Sequence, residues 1–405
     1  MQVGQFTDSF PPVVNGVSAF VSEHHRELLA QGHAAHIFTF GTATKSDGSV
    51  HRTRGVPFFN SPFRANLRVD GVAEQVAQSL QVFHMHEATM AAGWAALNLA
   101  WRYRKPLIFT NHTRHDLYIN NFPRILQPFL RTYVQRVIAY AIRNSDLVTA
   151  PSHDTAKWLR MLAPECCEHI QVVRNGIRLD ETCTGGIAER EAVRYAVRYA
   201  LGISPAATVF LYMGRLSPEK NLITFAEAFK SAIQQNTDIE AHWLVVGDGV
   251  CRADLEARTV AICQRVHFVG QVPRQRVRQY LVAADVFVTP SLSEVNPVSV
   301  IEALACAKPY VGLQAAWWDE FAGERAGVLC KDVTGLCDAI LGLSRNRDLQ
   351  RELGQGALRL SQQFDIRAIT ACWAELYGRV LEGWPYASMV SAPQRLRWLL
   401  QTRAT

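Results

Sequence analysis

The sequence predicts an α/β protein made of two doubly wound parallel-sheet domains that face each other across a cleft. Three observations carry this. Short apolar runs ending in Gly, Pro, Asn or Ser recur along the chain, and helical patterning follows each of them. The 405 residues exceed the size at which a single core stops growing. Around residues 182–202 the series is interrupted by a helix rich in Arg and Tyr, after which a second series of the same units begins. The expected boundaries are 1–182 for a first domain, 183–363 for a second, and 364–405 for a C-terminal helix and tail packing back on the first.

Residues 3–7 form the opening strand. After the turn PPVVNG a helix covers about 17–31, with Gly32 as its C′ residue and Val17, Phe20, Val21 and Leu28 on the buried face. The run 33–40 is a second strand, so the opening is βαβ and its sheet parallel. Gly16, preceded by Asn15 at the head of the first helix, is a candidate anion cradle, because a helix N-terminus presents unpaired N–H groups. Residues 41–66 are polar and turn-rich, an excursion over the surface.

Strands at 82–85 and 106–110 lead to two groups of histidines: His84 and His86, then His112 and His115 beside Asn111 and Arg114. No cysteine or patterned carboxylate stands near, so cleft-lining or core histidines are expected in place of a metal site. Residues 117–145 contain no acid, while Arg124, Arg131, Arg136 and Arg143 recur among Phe129, Tyr133, Val137 and Tyr140. Two readings fit this helix: a solvated face, or contact with anionic lipid headgroups. Further units follow at SDLVTAPS and at 170–173, the latter ending in Arg174-Asn175-Gly176.

The second series has strands at 208–213, 241–246, 266–269, 285–288 and 310–313. Behind the first of these, GRLSPEKN places Arg215 and Lys220 around a Ser-Pro turn. Such a loop can grip a diphosphate from two sides, or form a salt-bridged turn. After 285–288 the chain reads TPSLSEVNPVSVIEALACAKP. Pro297 suits the first helical turn, with Asn296 as its natural cap, and Val298, Ile301, Leu304 and Ala305 pack on the sheet. Packing does not account for Glu294 in the loop or Glu302 in the helix. Both can approach the space above the strand's carboxyl end, where open α/β sheets bind ligands; the alternative is two solvated glutamates. Phe364, Ile366, Ile369, Trp373, Leu376 and Val380 mark a long last helix, and the tail with Trp384, Arg395, Arg397 and Trp398 is expected to dock on the first domain.

Composition excludes several classes. Hydrophobic content of 48% with 19% charged residues describes a well-filled globular chain, and no apolar run approaches the ~18 residues of a membrane span. MQVGQFTDSFPPVVNG lacks the pattern of a secretory signal. Nine cysteines without a CxxC pair indicate neither a disulfide framework nor zinc, so a reducing cytoplasm is expected. The net charge of +6 suits acidic small molecules or anionic surfaces, with no nucleic-acid signature.

Taken together, FTDSFPPVVNGV, TNHTRHD, APS, RNGI, MGRLSPEKN, VVGDG, VHFVGQV and two glutamates eight apart resemble the retaining glycosyltransferases of family 4, over nearly the whole chain. The resemblance implies the GT-B architecture of two Rossmann-like domains, the first on the acceptor side and the second binding a nucleotide sugar. It implies that Arg215 and Lys220 neutralise the donor diphosphate, that Glu302 takes the ribose hydroxyls and Glu294 those of the sugar. Asn296 and Val298 would line the donor, Gly16 would let backbone approach the phosphates, and His112 would reach the sugar. His112, Arg215, Lys220 and Glu294 are thus the expected catalytic set.

No metal and no cofactor are expected, since the chain has no Asp-x-Asp. The donor would be a UDP-sugar in preference to a GDP-sugar, and the product an α-glycoside. The acceptor would be a membrane lipid such as diacylglycerol, reached by a cytoplasmic enzyme bound peripherally at the inner face. Alternatives are a polysaccharide or small soluble acceptor, a sugar-nucleotide epimerase, and a sugar-nucleotide-binding relative without turnover. Asn296-Pro297 stands where the family has aromatic-Gly, Ala307-Lys308-Pro309 lacks a usual glycine, and Asn15-Gly16 replaces two glycines. Because proline cannot donate a backbone hydrogen bond, Pro297 is expected to alter how the donor is held.

Overall fold

The computed structural model describes residues 1–13, 15–41, 48–54, 56–57, 64–65, 71–119, 123–182, 185–236 and 238–383. The chain divides into two compact units, Met1–Gly176 with the chain from Ile366 onward, and Ile177–Asp365. The first crossing therefore lies ahead of the Arg- and Tyr-rich helix Ile187–Ala200, which belongs to the second unit.

The first unit is built on seven parallel strands: β1 (Gln2–Thr7), β2 (Ala34–Gly41), β3 (Val50–Arg54), β4 (Val82–Met85), β5 (Leu107–Thr110), β6 (Leu147–Ala150) and β7 (Ile170–Val172), in the order β3-β2-β1-β4-β5-β6-β7. The second has six: β8 (Thr208–Met213), β9 (Ala241–Val246), β10 (Val266–Gly270), β11 (Val286–Thr289), β12 (Tyr310–Leu313) and β13 (Gly327–Cys330), in the order β10-β9-β8-β11-β12-β13. Both orders are the doubly wound one, reversing between the first and fourth strands. β8 and β9 are buried along their whole length, which is why they read as unbroken apolar runs without alternation.

β3 and β13 were not foreseen. β3, VHRTR, is an edge strand inside the stretch expected to be a surface excursion, and β13 closes the other sheet. Edge strands carry one unpaired side and need no apolar run to be stable.

The helix Ile366–Glu382 belongs to the first unit. Its Ile366, Ile369, Trp373, Leu376 and Tyr377 join Val3, Phe20, Val21, Leu28, Ile37 and Val82 in one core. Each such fully buried large side chain contributes about 1.5–3 kcal/mol. The tail with Trp384, Arg395, Arg397 and Trp398 lies outside the described residues. In the second unit Asp285, just ahead of β11, accepts from Val209 N–H at 2.8 Å and pairs with Arg194 at 2.6 Å and Arg198 at 2.7 Å. Burial pushes the Asp285 carboxyl up, but the two guanidiniums outweigh it and hold it below the usual range.

Candidate functional site

The two candidate loops of the second unit follow β8 and β11, the strands between which its sheet reverses. The β8 loop lies directly against the β9 turn: Gly214 N–H donates to the Val246 carbonyl and Leu216 N–H to that of Asp248, both at 3.0 Å. A Cβ on Gly247 would stand 1.9 Å from the Gly214 carbonyl oxygen, so only glycine lets the two backbones touch here. The VVGDG turn braces the Arg215 loop from behind.

Arg215 is exposed, and its carbonyl accepts from the Tyr212 hydroxyl at 2.8 Å. Lys220 closes a single 3-10 turn, and its Nζ lies 2.6 Å from Glu294 Oε1, with both side chains largely buried. Two residues expected at different parts of a donor are thus one ion pair between the β8 and β11 loops. Asn221 Nδ2 donates to the Pro290 carbonyl and Ser291 Oγ to the Glu219 carbonyl, each at 3.3 Å, so the loops are laced at three points.

Glu302 lies in the helix Val298–Ala305, only 3% exposed, and pairs with Arg274 at the start of the helix Arg274–Ala283. A carboxylate that deep requires a partner. Sequence reasoning missed Arg274, although Pro273-Arg274 directly behind β10 is a helix-start signal at a strand's carboxyl end. The cap is a correction: Pro297, not Asn296, occupies the N-cap position, with φ −72° and ψ 115°, and no side chain caps the helix. Proline fits the last extended residue because no N–H is needed there. Asn296 and Val298 are buried.

Gly16 and His112 belong to the first unit. Gly16 opens the helix Gly16–Ala30, where Asn15 Oδ1 accepts from Ser18 N–H at 2.8 Å and Asn15 Nδ2 donates to Ser9 Oγ at 3.2 Å. Beside it, at the ends of β1 and β4, stand two carboxyls that sequence reasoning did not single out. Glu87 accepts from Ser9 Oγ at 2.8 Å and from Asp8 N–H at 3.1 Å, while Asp8 accepts from Ala92 N–H at 2.9 Å. Burial raises both, Asp8 well above its ordinary value, with the Glu87 charge adding to it.

His112 follows β5 and is buried, its Nε2 3.0 Å from His86 Nδ1. Burial pushes its imidazole down to about 3, opposed in part by the Asn175 side chain. His84 and His86 are core residues, and among the described residues no group of three His, Cys, Asp or Glu could hold a metal ion.

The acid-free helix is Gln127–Arg143. Ile125, Leu126, Phe129 and Tyr133 are exposed, with exposed Arg124 and Arg131 among them. Val137 and Tyr140 are buried in the core and Arg143 pairs with Glu165. The basic, apolar surface is confined to the helix start. No helix among the described residues is long and apolar enough to cross a membrane.

Residues 14–181 match the sequence model of glycosyltransferase family 4, and residues 207–346 that of glycosyl transferases group 1. The chain belongs to the family 4 glycosyltransferases. This glycosyltransferase is 28% identical over 324 residues to an alpha-monoglucosyldiacylglycerol synthase of Streptococcus pneumoniae, covering 77% of this chain and 70% of the other. It is 25% identical over 387 residues to the N-acetyl-alpha-D-glucosaminyl L-malate synthase of Bacillus anthracis, covering 91% and 95%. Among solved structures, Anabaena HepE in complex with UDP superimposes with a TM-score of 0.71 at 18% identity, over 94% of this chain and 100% of HepE. WaaG, a glycosyltransferase involved in lipopolysaccharide biosynthesis, does so with a TM-score of 0.69 at 14% identity, over 93% and 99%. The two Rossmann-like sheets are those of the GT-B fold.

Proposed function

We propose that this glycosyltransferase moves a hexose from a UDP-sugar, in preference to a GDP-sugar, onto a hydroxyl of a membrane lipid such as diacylglycerol, keeping the configuration to give an α-glycoside. The observation that carries the donor half is the Lys220–Glu294 pair between the β8 and β11 loops, with exposed Arg215 in the first of them. A diphosphate arriving there takes Lys220 as its counter-ion and frees Glu294 to accept from sugar hydroxyls. As the bond from the anomeric carbon to the phosphate oxygen breaks, negative charge grows on the diphosphate, and the Arg215 fork with the Lys220 point charge neutralises it.

The acceptor oxygen bonds to the same face of that carbon, and its proton passes to the departing phosphate oxygen. The protein therefore orients and stabilises and needs no base of its own. Glu302 accepts from the ribose hydroxyls and His112 meets the sugar. No step uses a metal, so chelation should leave the rate unchanged.

The UDP and UDP-glucose held by HepE support the uridine donor. The lipid acceptor is supported by the exposed Ile125, Phe129 and Tyr133 beside Arg124 and Arg131, a surface suited to the inner face of an anionic membrane. The diacylglycerol-glucosylating relative points the same way. The test supplies radiolabelled UDP- and GDP-sugars with diacylglycerol in anionic vesicles or with soluble acceptors. Label entering the lipid, with an α anomeric coupling, is expected from a UDP-sugar; label entering only soluble acceptors would overturn the lipid assignment.

A further inference from the structure

Arg274 takes no part in the donor set proposed above, yet it touches the acid assigned to the ribose. Its Nη1 meets Glu302 Oε1, and the two ends of this pair differ in their surroundings: the Glu302 side chain is 4% exposed, that of Arg274 47%. The contact joins the start of the helix Arg274–Ala283, behind β10, to the helix Val298–Ala305, behind β11, although β9 and β8 separate those strands in the sheet.

The neighbourhood of Arg274 leaves its guanidinium to Glu302. The first turn of its helix carries no acid, and Arg278, one turn on, is taken by Glu189 at 3.2 Å. The helix start is itself fixed, with Arg276 N–H donating to the Pro273 carbonyl at 2.9 Å. The cation is delivered from a set turn to a buried acid on another helix.

A ribose presents two adjacent hydroxyls that can both donate. An ionised carboxylate only accepts, at about four lone-pair positions, so it can hold one guanidinium N–H and still take both hydroxyls. A carboxyl that has taken up a proton offers fewer acceptors, and one that turns aside offers them elsewhere. Deep burial drives a carboxylate toward both outcomes unless a cation stands beside it. Arginine suits the task, because its guanidinium keeps its charge and its planar fork fixes the direction of the carboxylate.

We propose that Arg274 is a positioning residue that sets the sugar of the nucleotide: by holding Glu302 ionised and in one orientation, it makes the donor site demand both hydroxyls of a ribose and turn away deoxyribonucleotides. This rests on the assignment of Glu302 to the ribose.

The test is calorimetry of the full chain with UDP, 2′-deoxy-UDP and 3′-deoxy-UDP. The wild type should bind UDP about 10- to 100-fold more tightly than either deoxy form, since a missing hydroxyl leaves a buried acceptor unpaired. Arg274→Ala should weaken UDP binding and bring that ratio to within about 3-fold, whereas Arg274→Lys, which restores the charge without the fork, should recover most of it. Glu302→Gln removes the charge that Arg274 serves, so adding Arg274→Ala to it should change the ratio no further. If Arg274→Ala fails to fold, Arg274→Gln, which keeps a donor without the charge, takes the same readouts. A strong ribose preference that survives loss of Arg274, or a ratio that falls again when Arg274→Ala is added to Glu302→Gln, would overturn this proposal alone. UDP binding to the wild type without any ribose preference would remove Glu302 from the ribose and Arg274 with it, and a chain that binds no nucleoside diphosphate would overturn the donor reading itself.

Discussion

Lys220 and Glu294 neutralise one another across two loops, so removing either has two effects. Lys220→Ala should cost about 10²- to 10³-fold in kcat, because a donor aimed at the leaving charge is lost. It also deprives Glu294, 13% exposed, of its cation, so a modest drop in melting temperature should accompany it. Arg274 is predicted to act on binding. Replacing it by Ala should raise KM for the donor and weaken UDP binding in calorimetry, with kcat nearly unchanged, since Glu302 would lose the cation beside it. An unchanged UDP affinity would remove Arg274 from the site. Arg215, Lys220, Glu294 and Glu302 stand out in the sequence because their motifs follow strands of the second series, whereas Arg274 does not. The pairing of Lys220 with Glu294 was not legible, because it spans 74 positions, nor were Asp8 and Glu87, which meet across 79.

Among the elements, the end of the helix Val298–Ala305 shows how a missing glycine is accommodated. Lys308 N–H donates to the Ala303 carbonyl and Ala307 N–H to that of Leu304, both at 2.9 Å, which is the paired-bond closure that usually has glycine at its left-handed position. Ala307 takes that position with φ 54°. Ala307→Gly should therefore stabilise the second unit by about 0.5–1 kcal/mol, the relief of left-handed strain exceeding the entropy that glycine adds to the unfolded chain. Denaturant titration reads this as a higher midpoint at unchanged slope. The helix Gln127–Arg143 makes a different prediction: Phe129→Glu should abolish sedimentation with anionic vesicles while leaving the melting temperature unchanged, because Phe129 is exposed. Strong periodicity made the helices legible, and apolar runs made the central strands so. The edge β3, VHRTR, carries neither signal, and β13, GVLC, is an apolar run of only four residues at the other edge.

At the scale of the molecule the two units should differ in acid sensitivity. His24 and His112 are pushed down to about 3, His25 and His115 to about 4, and His84 and His86 well below the ordinary value, each chiefly by burial. Unfolded, these rings take up protons below about 6.5, whereas the folded unit refuses them until far lower. Folded stability is thus complete above the unfolded value and drains away as pH falls from about 6.5. Asp8 and Glu87 work in the opposite sense, since their raised carboxyls lose stability as pH rises. The second unit has one ring pushed down to about 4, His242, with His267 lowered beside it. Calorimetry at pH 7 and pH 5 should show the first unit's transition moving down further than the second's; equal shifts would contradict this.

The way the chain leaves and rejoins the first unit has a consequence for engineering. Ile177 and Asp365 bridge to one another, and Ile177 N–H donates to the Phe364 carbonyl at 2.9 Å, so the second unit begins and ends at one point. The flanking ends of the first unit also meet, since a Cβ on Gly176 would stand 3.0 Å from the Ile366 Cα. The second unit is a cassette set into a host. Residues 177–365 should fold when expressed alone, and the host should close when Gly176 is joined to Ile366 by a short glycine bridge. Each piece should melt cooperatively by circular dichroism, and exchanging the cassette for that of a relative should transplant the choice of sugar nucleotide without disturbing the choice of acceptor.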